Sequence, residues 1–271
     1  MNKNKILIII LSLLLTVSFM FIVSSCKSKA EQYREAYLEE KAKEDAKKGD
    51  VDVKKPEDVE KKDVEKKDAA ETTPPVKELT KEEAMNAQPE LDYVKKYLEN
   101  TDDKAIDKLF DSPRIAINTK YGNIVIAFFK NAAPKHVDNF IKLSKEGFYD
   151  KTIFHRVIPG FMIQGGDPNT KDPSKVAMYG TGGPGTTVPA EFNKIPHDRG
   201  ILSMARSADP NSAGSQFFLM HQKYPSLDNQ YSVFGAIIKG IDVVDKVVNL
   251  PRNERDLPNE RVEMTMKVYE K

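Results

Sequence analysis

The chain has 271 residues, enough for one sizeable domain with appendages rather than several large domains. Its 42 Lys and Arg against 41 Asp and Glu leave a formal net charge of +1, which removes the electrostatic case for nucleic acid or an acidic partner as the main target. Charged residues reach 31% and Cys26 is the single cysteine, so part of the chain packs no core and no internal disulfide exists.

Lys3 and Lys5 open the chain, and residues 6–23 are apolar apart from Ser12, Thr16 and Ser18. A basic start, an apolar run and small residues before a boundary read as an export signal over residues 1–25. The boundary Val23-Ser24-Ser25-Cys26 resembles the lipobox of bacterial lipoproteins. That resemblance implies a diacylglyceryl thioether on Cys26, which becomes the mature N-terminus after cleavage and often gains a third acyl chain. The alternative is an uncleaved transmembrane anchor, since a run of about 18 apolar residues just reaches spanning length. Both place the body in the bacterial cell envelope, held to the membrane and facing the periplasm or the cell surface. Lys27 stands where an Asp commonly retains lipoproteins at the inner membrane, which tilts the expectation to the outer one.

Residues 26–75 form a charged tether. Glu39/Lys43 and Glu44/Lys48 are i,i+4 pairs suited to an exposed helix, and Tyr33, Tyr37 and Leu38 give only a narrow apolar edge. Asp58-Val59-Glu60-Lys61-Lys62 is followed at once by Asp63-Val64-Glu65-Lys66-Lys67, a repeat with too little apolar area to offset its ordering entropy. As a flexible coil, about 50 residues span roughly 35–40 Å. After Pro74-Pro75, residues 76–111 read as a short helical extension. Thr80 and Glu83 have capping-box spacing, Leu91, Val94, Tyr97 and Leu98 share one helical face, and Ile106, Leu109 and Phe110 follow. A disordered continuation of the tether is the other option for this stretch.

From residue 112 the pattern changes to short strands. Residues 114–119 and 124–129 flank Tyr121-Gly122-Asn123 as a hairpin, and residues 134–146 form a helix with Val137, Phe140, Ile141 and Leu143 inward and Gly147 as its stop. Strands over residues 199–205, 216–220, 231–235 and 261–269 and a helix over 241–248 complete the count. Two helices and about eight strands without βαβ repeats predict a mainly β fold, a closed antiparallel eight-stranded barrel capped by two helices.

The most informative stretch is FHRVIPGFMIQGGD, residues 154–167. Arg156, Phe161, Met162 and Gln164 cannot all share one strand face by simple alternation, so Pro159-Gly160 must reset the phase by a turn or bulge. With GTGGPG (180–185), GILSMARSADPNSAGSQFF (200–218) and SLDNQYSVFG (226–235) in that order, residues 112–271 resemble the cyclophilin family of peptidyl-prolyl isomerases. The resemblance implies the cyclophilin-like barrel, isomerisation of X-Pro bonds in proline-containing polypeptides, a monomeric catalytic domain, and no cofactor or metal. It implies Arg156 as the catalytic arginine and Phe161, Met162, Phe218 and Leu227 as the seat of the proline ring. Gln164 and Gln216 match the amides that hold the substrate backbone, with Gln164 counted with Arg156 as catalytic. Ala205 and Arg206 fall where the family pairs an extended peptide through main-chain groups. Arg206 replaces a commoner Asn, Tyr231 replaces a frequent His, and Ser226 stands where cyclosporin-sensitive members carry Trp.

Taken singly, Arg156 reads as a surface ion-pair residue, the apolar positions as core, and each Gln as a strand-end hydrogen bonder. His155 tempts a general-base role, but bond rotation needs no base and a strand neighbour points away. His136, His197 and His221 lack ligand spacing and are expected to face solvent or to be structural. The 180–185 segment lacks the Lys and helix of a phosphate loop and reads as a tight surface loop. Two functions of different class follow: an exported, lipid-anchored isomerase assisting folding, or a non-enzymatic lipoprotein that holds proline-containing partners.

Overall fold

The computed structural model describes residues 76–91 and 112–270. The expected export signal and tether, with Cys26, and the positions Val94, Tyr97, Leu98, Ile106, Leu109 and Phe110 lie outside the described residues.

Among the described residues nine strands form one antiparallel sheet: β1 (Arg114–Thr119), β2 (Gly122–Phe128), β3 (Thr152–Ile153), β4 (Arg156–Ile158), β5 (Met162–Gly165), β6 (Ile201–Met204), β7 (Phe217–Met220), β8 (Val233–Lys239) and β9 (Glu263–Tyr269). Their hydrogen-bonded order is β3-β9-β1-β2-β8-β6-β7-β5-β4. The expected closed set of eight is therefore replaced by nine strands in an open, curled order. The extra strand arises because the chain changes partners at Phe154-His155. The Phe154 N–H donates to the Val262 carbonyl beside β9, and the His155 N–H donates to Gln164 in β5. The two ends of the order, β3 and β4, are thus consecutive in sequence, and the backbone itself crosses the seam.

Strand alternation sorts the apolar residues onto two faces. Ile115, Ile117, Ile124, Ile126, Phe128, Ile163, Phe217 and Leu219 lie inside, where they meet Phe140 of α2 (Pro134–Lys145) and Val243, Val244, Val247 and Val248 of α3 (Ile241–Val248). The alternate positions Val125, Ala127, Met162, Ile201, Phe218, Met220, Ala236 and Ile238 form a second apolar cluster on the other face. Its cover includes the segment before the domain. There Thr80 and Glu83 close a reciprocal capping box on α1 (Lys81–Met85), and Ala84 is buried among Ala116 and Tyr269. Tyr269 donates its hydroxyl to the Leu79 carbonyl at 2.6 Å, Asn123 donates to Lys77 at 2.8 Å, and the Glu90 N–H reaches Ile238 at 3.1 Å.

Candidate active site

The β4–β5 hairpin builds the centre of the site. Its turn runs from Ile158 to Phe161, with the Phe161 N–H on the Ile158 carbonyl at 3.0 Å and Gly160 at φ +79°. Pro second and a positive-φ Gly third is the type II pattern. Ile158 pairs with Met162 and Arg156 with Gln164, which leaves Phe161 as the extra loop residue. Arg156, Met162 and Gln164 therefore share a face, and the row continues from Gln164 to Phe218 and from Phe218 to Ser203. This is how the Pro-Gly step resets the phase.

That face carries a hollow of about 230 Å3 lined by Arg156, Phe161, Met162, Gln164, Ala205, Arg206, Phe218, Leu227 and Tyr231. Met162 and Phe218 form a buried floor. Phe161 packs on Tyr224 at 4.5 Å between ring centroids, and Tyr231 stands edge-on to Phe218 at 5.7 Å. Arg206 lies over the Tyr231 ring at 4.7 Å while its Nε donates to the Gln230 carbonyl at 3.0 Å. Arg156 stands at the rim with its side chain 45% exposed and its Nε 3.7 Å from an Asp256 oxygen, a loose pairing. The Ala205 N–H is committed to the Gln216 carbonyl at 2.9 Å, so that group does not pair a peptide.

Gln216 does not line this hollow. It lines a neighbouring one of about 420 Å3 with Gly180, Thr181 and Ser212, and Gln164 borders both. The two amides are joined, Gln164 Nε2 donating to Gln216 Oε1 at 3.0 Å, while Gln216 Nε2 donates to the carbonyls of Gly180 and Gly182 at 2.9 Å each. The fully buried Asp167 completes the arrangement by accepting the N–H groups of Gly180 and Gly182 at 2.5 and 3.2 Å. Those amides are therefore occupied by a side chain of the chain itself, as a phosphate loop's would not be.

His155 precedes β4 and lines a third hollow, of about 250 Å3, on the far side of Arg156. Burial pushes its imidazole down to about 4, against the pull of Asp167, so it stays neutral at physiological pH. The solvent-facing alternative for His136, His197 and His221 is corrected, since all three are buried. His136 shares the Glu191 carboxylate with the first amides of α2, with Nδ1 at 2.7 Å. His197 has Asp228 at 3.0 Å from Nδ1 and the Ser203 hydroxyl at 3.0 Å from Nε2. This has the outline of a nucleophile triad, but Ser203 is fully buried and its hydroxyl also meets the Ser232 carbonyl at 3.1 Å. No nucleophile reaches the hollow from it. His197 is structural, one of the two options the sequence left open, whereas the roles of Asp167 and Asp228 escaped the sequence reading; the available signals were Asp167 closing the 154–167 motif and Asp228 following Leu227.

Fold and site together define a class: a curled antiparallel sheet whose outer face offers an arginine-rimmed apolar hollow beside bound amides, suited to a compact apolar ring on an extended peptide. Residues 114–268 match the family model described as cyclophilin type peptidyl-prolyl cis-trans isomerase/CLD. A probable peptidyl-prolyl cis-trans isomerase of Brucella abortus is 45% identical over 137 residues, covering 49% of this chain and 70% of that one. A peptidyl-prolyl cis-trans isomerase of Synechococcus elongatus is 50% identical over 119 residues, 44% of this chain and 76% of that one. Among solved structures, a Cryptosporidium parvum cyclophilin type isomerase determined in the presence of the dipeptide Ala-Pro matches at 34% identity and a TM-score of 0.53. That match covers 58% of this chain and 99% of the parasite protein. The chain belongs to the cyclophilin-type peptidyl-prolyl cis-trans isomerase family, and it is a peptidyl-prolyl cis-trans isomerase.

Proposed function

We propose that this isomerase acts on exported proteins at the cell envelope, tethered through a lipid on Cys26, with Arg156 stabilising the twisted amide. Amide resonance sets the X-Pro rotation barrier at roughly 18–20 kcal/mol. Uncatalysed exchange therefore takes tens to about hundreds of seconds. No bond is made or broken, so no base or nucleophile is needed. In the half-rotated state the proline nitrogen pyramidalises and regains its lone pair. A donor aimed there, or at the neighbouring carbonyl, is stabilising chiefly at that moment, which is the condition for catalysis.

Arg156 suits this task, with a planar charged fork whose ion pair with Asp256 is a loose one. Phe161, Met162, Phe218 and Leu227 seat the ring, Tyr231 and Arg206 wall it, and Gln164 holds the substrate backbone with Gln216 behind it. Ala205 contributes through its position beside the groove. The observation that carries this reading is the shared hollow, in which the buried Met162–Phe218 floor lies under the Arg156 rim. The catalytic domain works as a monomer, and the tether of residues 26–75 lifts it clear of the lipid, the outer membrane being the favoured site.

The experiment is a chymotrypsin-coupled proline-isomerisation assay on the full chain in detergent. Arg156→Ala is expected to lower kcat/KM by about 10²–10³, the scale for losing one transition-state donor, and Arg156→Lys to restore little. Equal rates for wild type and Arg156→Ala would remove Arg156 from the mechanism. Mass spectrometry of the mature N-terminus tests the lipid on Cys26, where an unmodified, uncleaved end refutes it; membrane fractionation tests the destination.

A further inference from the structure

We propose that His221 is a positioning residue for isomerisation: its ring holds the Pro159-Gly160 turn and so fixes Phe161 as a wall of the hollow, a role that rests on that hollow receiving the proline ring. His221 follows β7 directly and is almost fully buried. Its backbone N–H donates to the Phe161 carbonyl at 2.9 Å, joined by the Gln222 N–H at 3.3 Å. Its ring Nδ1 accepts the Gly160 N–H at 3.0 Å. One residue at the end of an interior strand thus grips the loop at the amide of residue 160 and the carbonyl of residue 161.

The acceptor role dictates the tautomer. A ring nitrogen that accepts an N–H carries no proton, so the proton of the neutral imidazole sits on Nε2. Nε2 lies 3.3 Å from Oδ1 of Asp245 on α3, long for a hydrogen bond but favourable for an N–H facing a carboxylate. Burial alone would push the Asp245 carboxyl up, yet the His221 N–H and the Arg199 guanidinium facing it bring it below the usual carboxylate range, so it stays charged. Arg199 braces both ends, donating to Asp245 Oδ2 at 2.7 Å and to the His221 carbonyl at 2.8 Å. The chain of contacts runs from α3 through Asp245 and the imidazole to the Gly160 amide.

The turn needs such a hold because Phe161 is the unpaired residue of a three-residue loop, while its ring must stay beside Met162. Unpinned, the loop samples positions in which the hollow lacks one wall. The cost then falls on seating the ring more than on rotating the bond.

The test uses the full chain with kcat and KM measured separately. His221→Ala is expected to lower kcat/KM about tenfold, mostly through KM, the scale for losing one acceptor to a half-buried amide. His221→Asn places an oxygen near the Nδ1 position and is expected to recover most of that loss. His221→Gln carries its amide further out, near Nε2, so it keeps Asp245 but not Gly160 and stays low. Should His221→Ala fail to fold, the Asn and Gln variants decide alone. Equal activity of those two, or wild-type activity of the Ala variant, overturns the proposal. Arg156→Ala run alongside separates the layers: full activity there overturns the reading of the hollow, whatever the order among the His221 variants.

Discussion

Replacing Gln216 by Glu exchanges one NH2 group for oxygen and adds a charge with almost no change of shape. The native amide has a forced orientation: Nε2 faces the carbonyls of Gly180 and Gly182 at 2.9 Å each, and Oε1 receives Gln164. A carboxylate keeps the Gln164 contact but turns an oxygen toward two carbonyl oxygens. Each lost bond is worth about 1 kcal/mol at this half-exposed site, so the pair amounts to about 2 kcal/mol before the loop relaxes. Fully expressed in the transition-state complex, that is up to about 30-fold in kcat/KM. Exchange NMR on an Ala-Pro peptide measures it without a coupling protease and so at any pH. The introduced carboxyl has an ordinary pKa of about 4.3, and once protonated it regains one donor. The variant's deficit relative to wild type should therefore shrink between neutral pH and about pH 4. A Gln216→Glu enzyme as fast as wild type at neutral pH, or a deficit that ignores pH, would refute the coupling of loop 180–182 to the site.

Stability should depend on the His155 imidazole, which burial holds down to about 4 from an ordinary 6.5. The unfolded chain takes up that proton first, so the contribution is complete above pH 6.5, is lost as pH falls toward 4, and amounts to about 3 kcal/mol. Burial lowers His136 and His197 in the same direction and steepens the same slope. Urea midpoints against pH should flatten in His155→Leu, and an unchanged slope counts against this account. Glu90 accepts the N–H of Gly240, the buried residue that begins α3 without a side-chain cap of its own, at 2.9 Å. Glu90→Ala should cost about 2 kcal/mol, or about 4–8 °C in Tm, with kcat/KM unchanged; an unaltered Tm refutes it. Cyclosporin should bind weakly because Ser226, exposed on the turn Pro225–Leu227, offers no indole, and nanomolar inhibition would contradict that.

What could be read from the sequence followed physical period. The hairpin of β1 and β2, the helix closed by Gly147, and the capping box at Thr80 and Glu83 are local patterns and formed, though the hairpin turns at Lys120-Tyr121, with Gly122 and Asn123 already paired in β2 rather than in the turn. The strand count went astray at residues 152–165, because a change of partners at Phe154-His155 leaves no mark in alternation. Most of the hollow was legible as motif positions, but Gln216 proved to stand behind Gln164 in the adjoining hollow. Its role depends on a contact across 52 positions of chain. Asp167 and His221 were opaque for the same reason. Their partners, Gly180 and Gly160, are backbone amides, and an amide has no letter in the sequence.

The placement of the hollow on the outer face gives a shallow depression a rigid floor. Met162 and Phe218 look outward from strands whose next residues, Ile163 and Phe217, are buried in the interior cluster. Neither floor residue can shift along its strand without moving a packed neighbour, and an interior at crystal-like density resists that. The rim lacks this constraint: Phe161 sits in a loop, and Arg156 is half exposed at the end of the sheet order. Precision at the rim must therefore come from polar contacts, which is where the Gln164–Gln216 pair and the His221 ring stand. Substitutions in the floor should consequently appear chiefly as lost stability, and substitutions in these polar braces as a loss of kcat/KM in the folded enzyme that persists at temperatures well below Tm.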